Sequence, residues 1–102
     1  MTEFVPVIAE SELPPGACKE VLVGDRAVAL CNAGGEIHAI GNLCPHRGGP
    51  LGQGMLHEKL VICPWHNWAF DVTTGVSPDN PELKTPHYET KVEQGQVLVR
   101  LD

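Results

Sequence analysis

Apolar residues recur along this chain in short runs that partly alternate with polar residues, and Gly, Pro, Asn or Asp interrupts the runs at close intervals. Such runs are typical of strands, because successive side chains point to opposite faces of a sheet. No run has the length and the 3.6-residue spacing of a long helix. The chain is therefore expected to be all-β, with strands at residues 4–9, 17–23, 26–31, 36–40, 59–62, 88–92 and 96–100.

Turn residues join several of these runs at the spacing of hairpins. Gly24-Asp25 separates the second run from the third, and residues 93–95 separate the last two. Residues 41–75 are denser in Cys, His, Trp, Gly and Pro than the rest, and we expect them to form an insertion carried on the β base. Residues 77–86 contain three prolines, so we expect a stiff surface loop there and not a central strand.

Length and charge limit the functions that this chain can have. A chain of 102 residues corresponds to one domain, without room for a second. Its net charge of −6 argues against nucleic acid and anionic membranes as partners, since both attract clustered Lys and Arg, and favours a basic protein partner. No apolar stretch approaches the roughly 18 residues of a membrane span, and no basic export segment begins the chain. These features predict a soluble, cytoplasmic protein.

Two of the four cysteines stand close to histidines in two short segments. Cys44-Pro45-His46 is followed, after sixteen residues, by Cys63-Pro64-Trp65-His66. Each segment offers one thiolate and one imidazole from a tight loop, so Cys44, His46, Cys63 and His66 form a candidate four-ligand metal site. In the absence of an export signal, ligation is the better account of these cysteines than disulfide bonding. Spacing alone leaves open whether the site holds Zn²⁺ or an iron–sulfur cluster.

The residues around these ligands resemble the Rieske signature. CPHRGGPL surrounds the first pair and CPWHNWAFDVTTG the second, while ELPPG, GGEIHAI and YETKVEQGQVLVRL resemble other parts of small Rieske ferredoxins. The resemblance covers nearly the whole chain. It implies an all-β, Rieske-like antiparallel β-sandwich or barrel base with a small cluster-binding subdomain. Residues 1–102 would be a single Rieske domain, and residues 41–75 its cluster-binding insertion.

The same resemblance implies one [2Fe–2S] cluster with an asymmetric set of ligands. Cys44 and Cys63 would hold one iron, and His46 and His66 the other. Respiratory and photosynthetic relatives carry an additional cysteine in each loop and hydroxyl side chains that donate to the cluster sulfurs. This chain has other residues at those positions, namely Gly49, Trp65, Trp68 and Phe70. Fewer donors stabilise the reduced state less, so we predict a potential near the low end of the Rieske range.

An electron carrier is the function that this resemblance implies. The chain lacks the large mononuclear-iron domain of a Rieske oxygenase and shows no catalytic set of its own, so it is not expected to be an enzyme. The expected protein partners are a flavin-dependent reductase and a terminal ring-hydroxylating oxygenase, and the ferredoxin itself is expected to be a monomer. Alternatives are the small subunit of an assimilatory nitrite reductase or of another oxidoreductase and, in a different class, a zinc-stabilised interaction module.

The remaining Cys, His and Trp residues have ordinary structural explanations. Cys18 and Cys31 lie in predicted strands and are expected to fill the core as inert apolar groups. The two tryptophans are expected to cover the cluster and exclude water. The other histidines lack a partner at ligand spacing and are expected to be ordinary surface or core residues, with His57 in a turn; they are His38, His57 and His87.

Overall fold

The computed structural model describes residues 3–44, 49–65 and 68–101. These residues contain nine strands and two single-turn 3₁₀ helices, Glu10–Glu12 and Leu51–Gln53. The strands are β1 Val5–Ala9, β2 Cys18–Val23, β3 Arg26–Ala33, β4 Glu36–Gly41, β5 Met55–His57, β6 Leu60–Ile62, β7 Ala69–Asp71, β8 His87–Glu93 and β9 Gln96–Arg100. The helices have three residues each, so the all-β prediction is confirmed.

Six of the strands form one antiparallel sheet, in the order β1-β9-β8-β4-β3-β2. Short turns connect β2 to β3, β3 to β4, and β8 to β9. In the last of these turns, Gln94 and Gly95 both have positive φ, 53° and 78°. Two such residues make the hairpin turn whose twist matches that of the flanking strands. The edge strands β1 and β2 also contact each other, so the sheet curls into a nearly closed barrel.

The other three strands form a small antiparallel sheet in the order β5-β6-β7. They lie between β4 and β8 in the chain, within the segment that was expected to be an insertion. The 3₁₀ helix Leu51–Gln53 precedes them and packs against β2 and β3 of the large sheet. The small sheet is therefore attached to one face of the barrel.

Strands β3 and β4 separate two hydrophobic cores, because their alternate side chains point in opposite directions. Val28 and Leu30 of β3 point into the first core, inside the barrel, whereas Ala29 and Cys31 point into the second. The second core fills the space between the barrel and the small sheet. Its fully enclosed members are Ala29, Cys31, Ile40, Cys44, Leu51, Val61, Cys63, Phe70 and Val72. Both cysteines of the predicted metal site therefore lie in this second core.

The predicted strands are all present, with small differences at their ends. Strand β3 continues to Ala33, and β8 begins at His87. The prediction missed β5 and β7, which have three residues each and are too short for a recognisable alternation. His57 was expected in a turn but ends β5, although its side chain is exposed as expected for a solvated residue. Residues 77–86 contain no strand, in agreement with their three prolines.

Among the residues that the structure describes, no helix has the length and apolar character required to cross a membrane.

Candidate metal centre

Cys44 and Cys63 come together at the end of the second core. Cys44 lies three residues beyond the end of β4, and Cys63 directly follows β6. Both are buried in the same core, with exposed fractions of 2% and 0%, and they lie close enough for Cys44 to raise the pKa of Cys63. The structure therefore brings together two of the four predicted ligands. The other two, His46 and His66, lie outside the described residues.

A backbone hydrogen bond of the same kind closes each of the two cysteine segments. The N–H of Cys44 donates to the carbonyl oxygen of Gly49 over 2.8 Å, and the N–H of Cys63 donates to that of Trp68 over 2.7 Å. In each case the acceptor lies five residues after the cysteine. Each bond fixes the base of a short loop whose first residue is a cysteine. The two loops are thus equivalent in construction, as two halves of one ligand shell require.

The surroundings of Cys63 disfavour a free thiolate. Burial, the largest effect, raises the pKa of this thiol, and the neighbouring Cys44 raises the pKa further. The backbone N–H of Trp65 donates to the sulfur and opposes these effects. Two neighbouring buried thiols can both ionise only when a positive group compensates their charge. A metal centre that takes sulfur ligands supplies that charge, so the residues fit an iron-containing group.

Gly49 leaves room beside the sulfur of Cys63. A Cβ atom at this position would lie 2.7 Å from Cys63 Sγ and 3.1 Å from Trp65 Cγ. Any side chain here would push against a proposed ligand and against the loop that carries it. A bulky inorganic group needs this kind of close backbone approach, so glycine fits the site better than any other residue.

Asn42 supports the first loop, and sequence reasoning missed this residue. Its side chain, 2% exposed, donates through Nδ2 to the Glu20 carboxylate of β2 and accepts the N–H of Gly52 over 2.8 Å. The main-chain carbonyl oxygen of Asn42 also accepts a hydrogen bond from the N–H of Leu51 over 2.7 Å. Asn42 thus connects β2 to the 3₁₀ turn, two residues before Cys44. The sequence signal that could have identified Asn42 is its place at the end of a buried strand, close to a proposed ligand.

We predict that Asn42→Ala destabilises the protein by about 1–3 kcal/mol, because the Gly52 N–H and the Glu20 carboxylate lose their partner. Urea unfolding of the metal-loaded protein measures this change, and the metal centre should also be lost faster. Asn80→Ala is the matched control, since the Asn80 side chain accepts an exposed hydrogen bond from the Glu82 N–H and its main-chain carbonyl is unchanged by the substitution. Equal stability of the two variants would contradict the supporting role of Asn42.

His38 of β4 and His87 of β8 lie near each other, and His38 pairs with Cys31 of β3. Their ring centroids are 5.9 Å apart, and His38 Nε2 is 3.6 Å from a Glu36 carboxylate oxygen. Burial, followed by repulsion from His38, lowers the pKa of His87, while Asp71 acts in the opposite direction. Within residues 3–44, 49–65 and 68–101, no three His, Cys, Asp or Glu side chains are grouped to hold a metal ion. The ordinary roles expected for these histidines stay a prediction.

The lowered pKa of His87 makes a pH-dependent contribution to stability. Below the ordinary value of 6.5, the unfolded chain takes up a proton on His87 before the folded chain does. The contribution is therefore complete above pH 6.5 and is lost as the pH falls through the folded-state pKa. We expect His87→Gln to lose less stability than the wild type on acidification, in thermal melts from neutral to mildly acidic pH. His57→Gln, which makes the same substitution at an exposed site, is the control.

The Rieske [2Fe-2S] domain family matches residues 3–98. The ferredoxin component of the naphthalene 1,2-dioxygenase system of Pseudomonas aeruginosa is 35% identical over 105 residues, and the match covers 99% of each chain. Human apoptosis-inducing factor 3 is 41% identical over 90 residues, which are 87% of this chain. The chain spans only 15% of the length of that larger relative.

Two solved structures share the fold along nearly their whole length. A complex of reduced oxygenase and oxidised ferredoxin in carbazole 1,9a-dioxygenase contains a chain that is 30% identical, with a TM-score of 0.84 and coverage of 95% of this chain and 92% of the other. A putative NADH-dependent nitrite reductase small subunit from Mycobacterium tuberculosis is 27% identical, with a TM-score of 0.91 and coverage of 100% and 97%.

The match over residues 3–98, the barrel with its attached small sheet, and the paired cysteine loops agree with one another. They decide between zinc and an iron–sulfur cluster in favour of the cluster, because the family is defined by that cofactor. Relatives of similar length are named as ferredoxin components, which carry electrons and are not themselves catalysts. The chain belongs to the Rieske [2Fe-2S] domain family.

Proposed function

We propose that this protein is a one-electron carrier whose single [2Fe–2S] cluster is held by Cys44, His46, Cys63 and His66. The observation that carries the proposal is the position of Cys44 and Cys63, which are both buried in the second core and each closed by a backbone hydrogen bond to the fifth residue after it. The described residues offer no further group of metal-binding side chains. Two imidazoles from the same two loops complete a set of four ligands at Rieske spacing.

When bound, the cluster supplies reversible transfer of one electron, in a potential range of roughly −150 to +300 mV for Rieske centres. The chain's own residues adjust where in that range it operates. The Trp65 N–H donates to the sulfur of Cys63, which favours added negative charge. Phe70 is fully buried in the same core as both cysteines and has no hydroxyl group to donate.

We expect a midpoint potential in the lower part of the Rieske range, because this chain has an aromatic hydrocarbon at Phe70 where high-potential relatives carry a hydroxyl donor. Phe70→Tyr should raise the potential if the added hydroxyl reaches a sulfur atom. Redox titration of the loaded protein, followed by visible absorption, measures both values. A clearly positive midpoint potential in the wild type would contradict this part of the proposal.

The proposed partners are a flavin-dependent reductase, which delivers electrons, and a terminal ring-hydroxylating oxygenase, which accepts them. Two large apolar side chains are exposed beside the cysteine loops: Leu43 is 64% exposed and Trp65 is 50% exposed. Trp65 was expected mainly to cover the cluster, and half of its surface remains free for a partner. The net charge of −6 favours basic docking surfaces and faster association at low salt.

Reconstitution tests the proposal directly. The purified protein should be red-brown, contain two iron and two acid-labile sulfide per chain, and give a Rieske EPR signal near an average g of about 1.9 when reduced. When the loaded protein is added to the reductase and oxygenase of a ring-hydroxylating system, the oxygenase should form product with reduced nicotinamide nucleotide as the electron donor. A colourless protein with one zinc, or a coloured protein that accepts no electron from a reductase, would contradict electron carriage.

The small-subunit role in a nitrite reductase is a second candidate, favoured by the fold shared with the Mycobacterium tuberculosis protein. Co-purification separates the two functions. A subunit stays in a stable complex with its large partner during gel filtration, whereas a carrier elutes alone and binds its partners only transiently. We propose the carrier, because the match with the dioxygenase ferredoxin component covers 99% of each sequence, and we propose that the carrier is a monomer.

We also propose that residues 1–102 act as one domain and that residues 41–75 form its cluster-binding insertion. The small sheet β5-β6-β7 lies inside this range and supports the division. The proposed location is the cytoplasm, where reduced nicotinamide nucleotides are available to a flavin-dependent reductase. Cell fractionation with antibody detection tests the location, and recovery of the protein in another compartment would contradict it.

A further inference from the structure

Two cysteines outside the metal centre lie directly opposite each other in the large sheet. Cys18 of β2 pairs with Cys31 of β3, and their sulfur atoms are 3.0 Å apart. In the next residue pair, the Asn32 N–H donates to the Ala17 carbonyl oxygen over 2.9 Å. Because hydrogen-bonded and non-hydrogen-bonded pairs alternate between antiparallel strands, Cys18 and Cys31 form a non-hydrogen-bonded pair. At such positions the Cα atoms lie about 4.5 Å apart, within the range that a disulfide spans.

The two thiols differ in their surroundings. Cys31 is fully buried in the second core, whereas Cys18 is half-buried at its margin. The hydrogen bond from Cys31 lowers the pKa of Cys18, and burial only partly opposes this effect. The same hydrogen bond and burial raise the pKa of Cys31. Cys18 is therefore the thiol that ionises first and that a small solute reaches, with Cys31 held behind it.

We propose that Cys18 and Cys31 form a dithiol–disulfide couple that hydroperoxides oxidise, at a site distinct from the metal centre. The pair was expected to be inert filling, because both cysteines lie in predicted strands away from the ligand loops. Because Cys18 and Cys31 lie directly opposite each other in the sheet with their sulfur atoms in contact, we assign the pair a redox function instead. The proposal stands on the geometry of these two strands and does not require the electron-carrier function.

The reaction balances with hydrogen peroxide as the oxidant. The Cys18 thiolate attacks one peroxide oxygen, the O–O bond breaks, and the departing hydroxide leaves Cys18 as a sulfenic acid. The Cys31 sulfur then attacks the Cys18 sulfur, the S–O bond breaks as the S–S bond forms, and the Cys31 proton passes to the departing hydroxide. In total, two thiols and one peroxide give one disulfide and two waters. The sulfur atoms lose two electrons, and the peroxide gains them.

The position of the pair gives this reaction a consequence for the metal centre. Cys31 belongs to the same buried core as Cys44 and Cys63, and β2 also carries Glu20, which accepts the hydrogen bond from Asn42. Each peroxide molecule that is reduced at Cys18 is no longer available to oxidise the proposed ligands. The reversible couple therefore protects the centre, and a thiol reductant restores it.

The experiment treats the metal-loaded protein with one equivalent of hydrogen peroxide without oxygen, then blocks free thiols with iodoacetamide during denaturation. Mass spectrometry of the peptides should find Cys18 joined to Cys31, with both proposed ligand cysteines alkylated and the visible spectrum retained before denaturation. Dithiothreitol should reverse the link. Recovery of Cys18 and Cys31 as alkylated thiols after cluster bleaching would overturn the proposal.

Two single variants test the order of attack. In Cys31→Ser, peroxide should leave Cys18 as a sulfenic acid, which dimedone traps, and the visible absorption should bleach no more slowly than in the wild type. In Cys18→Ser, Cys31 should remain an unmodified thiol at the same peroxide dose. Equal dimedone labelling of Cys31 in Cys18→Ser would overturn the assignment of Cys18 as the attacking residue. Absence of a Rieske spectrum before peroxide addition would refute the electron carrier separately.

Discussion

Cys63→Ser is expected to yield a colourless protein with iron and acid-labile sulfide at background levels. Cys63 is fully buried at the end of the second core, which also contains Cys44. A serine hydroxyl is far harder to ionise than a thiol and is a poor ligand for an iron–sulfur cluster, so one quarter of the proposed ligand set is lost. Iron and sulfide analysis, with visible absorption of protein reconstituted in parallel with the wild type, measures the loss.

Cys18→Ser is the matched control for this change. It replaces the same atom in another cysteine at the margin of the same core, but Cys18 faces Cys31 and not the two loops. The control should retain two iron and two sulfide per chain and the full visible spectrum. Full cluster content in Cys63→Ser, or its loss in Cys18→Ser, would show that the ligands are assigned to the wrong cysteines.

Phe70→Ala is expected to reduce the free energy of unfolding by about 3–5 kcal/mol, because it leaves a cavity in a closely packed core. Phe70 is fully buried in β7 and lies directly opposite Val61 in β6. Its ring fills the space between the small sheet and the barrel, where both proposed cysteine ligands also lie. Chemical denaturation followed by circular dichroism measures the stability, and the variant should also release its cluster faster.

Leu22→Ala provides the comparison for Phe70→Ala. It also truncates a large apolar side chain on a strand, but Leu22 is 72% exposed in β2. Its stability should remain within about 0.5 kcal/mol of the wild type, as is usual for surface substitutions. Similar losses in the two variants would mean that the second core does not hold the small sheet on the barrel.

Local patterns predicted the parts of the fold that depend on neighbours in the chain. Strands β8 and β9 alternate polar and apolar residues around Gln94 and Gly95, and the structure has them as a tight hairpin. Strands β5 and β7 escaped prediction because three residues carry too little periodicity. They are strands because β6 lies between them and supplies hydrogen bonds on both sides, which is a property of the assembled sheet.

The sequence by itself determined the chemistry of the candidate site. Cysteine and histidine at Rieske spacing define the ligand types, and proline and glycine keep the loops tight, since these effects act within a few residues. Only the tertiary structure placed Asn42 against Glu20, because this contact joins residues 22 positions apart and reaches from the end of β4 past β3 to β2. The turn Gly24-Asp25 sets the register that puts Cys18 opposite Cys31, but only the folded structure shows their sulfur atoms together and Cys31 buried. Burial of one face depends on the assembled cores, which no single stretch of the chain encodes.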